Sequence, residues 1–173
     1  MSVDNTGRHR FEEDLPASEM VYPSALSHRL KYLVWRVYTP YHAYCRDALY
    51  SLKTVRKIKA NRVGQRQRYL LGHIAPSSHV GALVEHLVAN GYRQQEVAWK
   101  DEGEIVNLRL LQDFVYQYHI RIFEDGEVRA HYEFTPECYP LRHLRQKGQT
   151  HEREYFLDLL RDHITPSEEW ERD

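Results

Sequence analysis

The chain has 173 residues, 42% of them apolar and 28% charged, proportions of one soluble globular domain with room for a core that exclude wholesale disorder. No apolar run approaches the roughly 18 residues of a spanning helix, and the polar start MSVDNTGRHRFEEDLPASE lacks the basic-then-apolar layout of a secretion signal, so a cytoplasmic protein is expected. The net charge of −1 hides a division: residues 28–68 carry 11 Lys and Arg against Asp47 alone, whereas residues 69–173 hold 19 acidic and 11 basic side chains. That asymmetry fits either an anionic partner or docking of the two halves on one another. Cys45 and Cys138 stand too far apart for a CxxC zinc or redox pattern and read as small, partly buried apolar residues.

Residues 1–23 are polar and aperiodic, the pattern of a flexible N-terminal tail. Residues 24–66 form a basic, aromatic-rich helical segment. In SALSHRLKYLVWRVY, Leu26, Leu30, Leu33, Val34 and Val37 share one helical stripe. The β-branched and aromatic content of KYLVWRVYT would also suit a strand, and helix is preferred. Thr39 followed by Pro40 opens a second helix, with threonine as cap and proline at the first helical position. This helix runs to about residue 60, burying Cys45, Ala48, Leu49, Leu52 and Val55 and turning Arg46, Lys53 and Lys57 outward as anion-binding candidates. Tyr32, Trp35, Tyr38, Tyr41 and Tyr44 recur at intervals of three across the junction. Aromatics interleaved with basic groups can stack on bases and neutralise phosphates; the plainer alternative is an aromatic rim packed on the rest of the domain.

Residues 67–165 read as an α+β domain. RYLLGHI is a strand. Pro76 with Ser77 or Ser78 opens a helix with Val80, Leu83, Val84, Leu87 and Val88 on one face, ended by Asn90-Gly91. RQQEVAWK and EIVNLRLL make a hairpin across DEGE, pairing Trp99 with Val106, Val97 with Leu108 and Glu96 with Arg109. A second hairpin turns at EDGE. A short helix lies around LRHLRQK, and a last one, EREYFLDLLRDHI, points Tyr155, Phe156, Leu159, Leu160 and Ile164 inward. Residues 166–173 are a polar tail. The expected fold is a mostly antiparallel sheet of about five strands with helices on one face, preceded by the basic helical segment.

Register decides what the second hairpin, YQYHIRIFEDGEVRAHYEF, can do. A two-residue Asp125-Gly126 turn would pair Ile122 with Arg129 and Ile120 with His131, mixing both faces. A three-residue turn with Gly126 as a left-handed bulge pairs Ile122 with Val128, Ile120 with Ala130, Tyr118 with Tyr132 and Tyr116 with Phe134. Burial of one face favours this second register. The opposite face then gathers Arg121 against Arg129, His119 against His131 and Gln117 against Glu133.

Three chemistries suit that face. Arg121 and Arg129 could clamp an anion. His119 and His131 could serve as acid and base with Glu133 orienting one imidazole. His119, His131 and Glu133 could also offer two nitrogens and an oxygen to a metal, but no HExxH or comparable spacing supports this, and neither metal nor cofactor is assigned. Against all three stands a solvated sheet face whose acids simply neutralise its arginines. His79 and His86 fall outside the apolar stripe of their helix, His73 precedes a helix N-terminus, and Arg142 and His143 are near enough to join the hairpin's polar face. Phosphate loops, dinucleotide fingerprints and nucleophile elbows are absent.

The leading functional expectation is a small binding protein that engages a nucleic acid or other polyanion through the basic segment. The alternatives are an adaptor that uses the basic helices to dock on a protein, and a small hydrolase or phosphoester-handling enzyme with its His/Arg/Glu site on the hairpin.

Overall fold

The computed structural model describes residues 15–42, 44, 45, 48, 69–95, 101, 103–145 and 148–168. In chain order these form α1 (Leu26–Tyr38), a 3-10 turn (Thr39–Tyr41), β1 (Leu70–Ile74), α2 (Val80–Ala89), β2 (Arg93–Gln94), β3 (Glu104–Leu111), β4 (Tyr116–Phe123), β5 (Glu127–Phe134), α3 (Pro140–Leu144), α4 (Arg153–Leu160) and β6 (Ile164–Pro166). The class is α+β, with one six-stranded sheet in the order β2-β3-β4-β5-β1-β6 and every neighbouring pair antiparallel. No helix among the described residues is long and apolar enough to cross a membrane.

Alternation along β3, β4 and β5 builds the core. Val106, Leu108, Ile120, Ile122, Val128 and Ala130 are fully buried on one sheet face, where Leu83 and Leu87 of α2 and Phe156 and Leu160 of α4 pack over them. His86 ties the two helices together by bonding to the Leu159 carbonyl at 2.8 Å, so this histidine is half-buried and does not stand on the surface. His79 caps α2, its Nδ1 accepting from the Ala82 amide at 3.1 Å, a role expected of Ser77 or Ser78.

The β4–β5 register is the three-residue-turn register: Ile122 pairs with Val128, Ile120 with Ala130, His119 with His131 and Gln117 with Glu133. Gly126 takes φ +83°, the left-handed conformation that the turn demands of glycine.

The first hairpin departs from expectation. Gln94 pairs with Leu108 and Arg93 with Arg109, so Val97 and Glu96 are not the partners of those residues; residues 96–100, Trp99 among them, lie outside the described set. The chain also has a strand where a helix end and tail were expected. α4 stops at Leu160, and Ile164, Thr165 and Pro166 pair with Ile74, His73 and Gly72. β-Branched Ile164 and Thr165 favour that extended form, and proline is tolerated on the edge strand. Gly72 makes the pairing possible, because a Cβ there would collide with the Thr165 carbonyl.

The segment 31–39 is helical. Thr39 does not cap a new helix: its hydroxyl donates to the Trp35 carbonyl at 2.8 Å, closing the end of α1. Helical backbone recurs at His42, Tyr44, Cys45 and Ala48. The remaining stretch to residue 68, with Arg46, Lys53, Lys57 and the expected inward Leu49, Leu52 and Val55, lies outside the described residues. At the other end, Ser18 donates its amide to Gln94 and Pro16 accepts from it, laying residues 16–18 along β2.

Candidate functional site

The polar face of the second hairpin converges as its register implies, and it is covered. His119, His131 and Glu133 are only 7%, 4% and 1% exposed. β3 extends the same face. Asn107 pairs with Arg121 and Arg109 with His119, so strand alternation points all of them away from the apolar core. Tyr69, with φ +62°, enters β1 in a left-handed conformation and places its ring 5.0 Å from that of His131.

Glu133 is the centre of the cluster. Gln117 Nε2 donates to its Oε1 at 2.8 Å, and Gln149 Nε2 donates to its Oε2 at 2.9 Å. His143 Nδ1 lies 3.0 Å from Oε2 and also 3.0 Å from the Phe134 carbonyl. Burial alone would raise the Glu133 carboxyl, but the surrounding imidazoles, His143 foremost and then His131 and His119, outweigh it and hold the group well below the usual carboxylate range. His143 responds in the opposite sense: burial works against its charge, yet the Glu133 carboxylate raises it above an ordinary histidine. Of the other histidines considered near the hairpin, His143 joins the cluster, whereas His73 is exposed on β1.

His119 is held between two partners. Its Nε2 lies 2.8 Å from Asn107 Oδ1 and its Nδ1 3.1 Å from Glu133 Oε1. Burial pushes the imidazole down to about 3, although Glu133 pulls the other way, so the ring is neutral near pH 7. His131 Nε2 is 3.4 Å from His119 Nδ1 and 3.3 Å from Glu133 Oε2. One donor atom from each of His119, His131 and Glu133 lies within 4.8 Å of the other two, and these are the residues able to hold a metal among those described.

The two arginines of the expected anion clamp each have a carboxylate partner within the chain. Although Arg121 and Arg129 face one another across the strands, each turns to a carboxylate of its own. Arg121 pairs with Asp101 and approaches Glu104 at 3.6 Å, and Arg129 grips Glu127 Oε2 through Nε at 3.1 Å and Nη2 at 2.7 Å. Their charges are thus neutralised from within, as buried guanidiniums require. Arg142 sits over the Tyr139 ring, 5.1 Å from its centroid.

Sequence reasoning missed Asn107, Arg109 and Glu137. Arg109 Nη1 is 2.7 Å from Glu137 Oε1 and 3.2 Å from Gln117 Oε1, while its Nε donates to Ser18 at 2.9 Å. The signal was present in β3, where Asn107 and Arg109 alternate with Val106, Leu108 and Leu110. Once β3 is set beside β4, that alternation puts both polar residues next to His119.

A second feature lies on α1. Leu26, Leu30, Leu33, Val34 and Val37 are 54–76% exposed, so the apolar stripe faces outward. The opposite side of the helix meets the domain: Lys31 donates to the Cys138 carbonyl at 2.8 Å and lies 4.3 Å from the Tyr139 ring centre, while the Tyr32 ring is 6.0 Å from that of Phe114. Tyr41 and Tyr44 are exposed as well. Comparison with protein-family models, curated proteins and solved structures finds no match to this chain.

Proposed function

We propose that the protein is an interaction module that docks on another protein through the segment 24–66, with α1 as the contact face. The observation that carries this is the outward stripe of α1. Five large aliphatic side chains on one 13-residue helix are exposed by half or more, and contiguous apolar surface of that kind marks a binding face. Leu26, Leu30, Leu33 and Val37 follow the four-three-four spacing of a helix-pairing seam, with Arg29 and Arg36 exposed beside it.

Those arginines favour one kind of partner. A second copy of the chain would set Arg29 and Arg36 against like charges or against Ser27 and Val34, whereas an amphipathic helix flanked by Asp or Glu would pair with both. A nucleic acid would suit the charge of residues 28–68 but offers no aliphatic surface to cover the leucines. A hydrolase or phosphoester-handling role would require a substrate to reach His119 and His131 beneath the groups that bury them. The compartment proposed is the cytoplasm, where Cys45 and Cys138 would remain the free thiols they are.

The test uses the full chain and three labelled probes: a leucine-seam helical peptide flanked by Glu, the same peptide flanked by Lys, and a 20-nucleotide single strand. The Glu-flanked peptide should bind, and Leu30→Asp with Leu33→Asp should weaken it by about 100-fold or more, the scale of losing two central anchors. Binding to the single strand that falls steeply with salt and ignores both substitutions would establish the nucleic-acid reading in its place. Concentration-dependent dimers abolished by the same pair would point to a second copy.

A further inference from the structure

The buried cluster sets two hydrogen-bond acceptors against each other. Asn107 donates its amide to Glu104 Oε1 at 2.7 Å, which turns its carbonyl oxygen toward His119 Nε2 at 2.8 Å. A carbonyl only accepts, so His119 carries its proton on Nε2 and presents a lone pair at Nδ1. That lone pair faces Glu133 Oε1 at 3.1 Å, and Oε1 already accepts from Gln117. Two acceptors in contact away from water are unfavourable unless a positive centre lies between them. His131 Nε2 lies 3.4 Å from His119 Nδ1 and 3.3 Å from Oε2, the other oxygen of the Glu133 carboxylate, while its Nδ1 is buried without a hydrogen-bond partner. The tautomer that frees Nε2 to act as a ligand breaks no hydrogen bond at Nδ1, although it leaves the Nδ1 proton without an acceptor, a cost that the metal bond offsets.

We propose that His119 Nδ1, His131 Nε2 and the Glu133 carboxylate bind one divalent transition-metal ion, zinc(II) by preference. Bonds of about 2.0–2.2 Å that subtend about 90–110° place neighbouring donors roughly 2.8–3.6 Å apart, and the His119–His131 contact at 3.4 Å, the His119–Glu133 contact at 3.1 Å through Oε1 and the His131–Glu133 contact at 3.3 Å through Oε2 all fall inside that span. Two neutral imidazoles and a carboxylate are ligands for zinc and its first-row neighbours; magnesium and calcium prefer all-oxygen sets. The surrounding groups do what groups behind a metal's ligands do. Asn107 fixes the His119 tautomer, and Gln117, Gln149 and His143 hold the Glu133 carboxylate. The site is independent of the α1 face and stands or falls without it.

Chelator-treated full-length protein, titrated with cobalt(II), should take up one equivalent with the weak visible absorption of nitrogen and oxygen ligation. One equivalent of zinc should displace it, and magnesium should not. Glu133→Gln, which keeps the shape and removes the charge, should weaken zinc by about 100-fold or more, and Asn107→Ala by about 10–100-fold. The exposed control His73→Ala should leave affinity unchanged. Where circular dichroism shows that Glu133→Gln does not fold, the imidazole nitrogen spectrum of the wild type decides: zinc must shift one Nδ1 and one Nε2 resonance. Absence of stoichiometric uptake, undiminished zinc affinity in folded Glu133→Gln, or the intense near-ultraviolet band of a thiolate ligand would overturn the proposal.

Discussion

His119 stays neutral beside an ionised carboxylate because burial pushes its imidazole down to about 3. In the unfolded chain the same ring has its ordinary value near 6.5. Unfolding therefore takes up a proton between the two values, and the stability contributed by the neutral ring is complete above about pH 6.5 and lost as pH falls toward 3. His143 runs the other way: its folded value is raised, so its contribution is complete below its ordinary value and lost as pH rises through the raised one. Between pH 6 and 5, where His119 dominates, stability of the metal-free protein should fall with pH by about 1 kcal/mol per unit more than that of His119→Gln. Parallel urea midpoints for the two proteins over that range would contradict a buried neutral ring. Gly126 belongs to the same scale. It was legible as the pivot of the hairpin because only a left-handed residue there lets every apolar side chain fall on one face.

At the scale of elements, β4 and β5 were readable to the register, whereas β2 and β3 were not. A tight turn with a glycine bulge ties pairing to the turn itself. The connection from Gln94 to Glu104 is longer, so register there follows burial of Leu108 and Val106 in the shared core, which apolar pairing of Val97 and Trp99 does not anticipate. β6 was missed because Ile164 extends the helical apolar stripe of α4 and equally suits a strand; pairing with β1 decides. Gly72→Ala tests that pairing. The added Cβ meets the Thr165 carbonyl, so the edge should open, costing about 1–3 kcal/mol. Faster hydrogen exchange at the Ser167 amide, which donates to the Leu71 carbonyl at 2.8 Å, would report it. Unchanged exchange would mean that the two strands can spread without separating.

Across the whole molecule, two apolar surfaces with similar patterns meet opposite fates. The stripe of α2 is buried at Leu83 and Leu87, and that of α1 is open to solvent. Leu87→Ala should therefore cost about 2–5 kcal/mol, while Leu30→Asp should stay within about 0.5 kcal/mol of wild type, as surface changes do. Thermal unfolding of the two variants separates these outcomes, and a large loss in Leu30→Asp would show that the stripe is part of the core.

Strand alternation, turn chemistry and helical periodicity act between near neighbours, and through them the sequence by itself determined the α+β class, the hairpin register and the shared face of His119, His131 and Glu133. Whether that face met water, which carboxylate neutralised Arg121 or Arg129, and which side of α1 turned outward were decided only by tertiary structure. The reason is that burial depends on what packs from elsewhere in the chain: Gln149, His143 and Tyr69 close over the hairpin, and Phe114, Cys138 and Tyr139 receive the aromatic side of α1. A periodic pattern shows that two faces differ without showing which of them finds a neighbour.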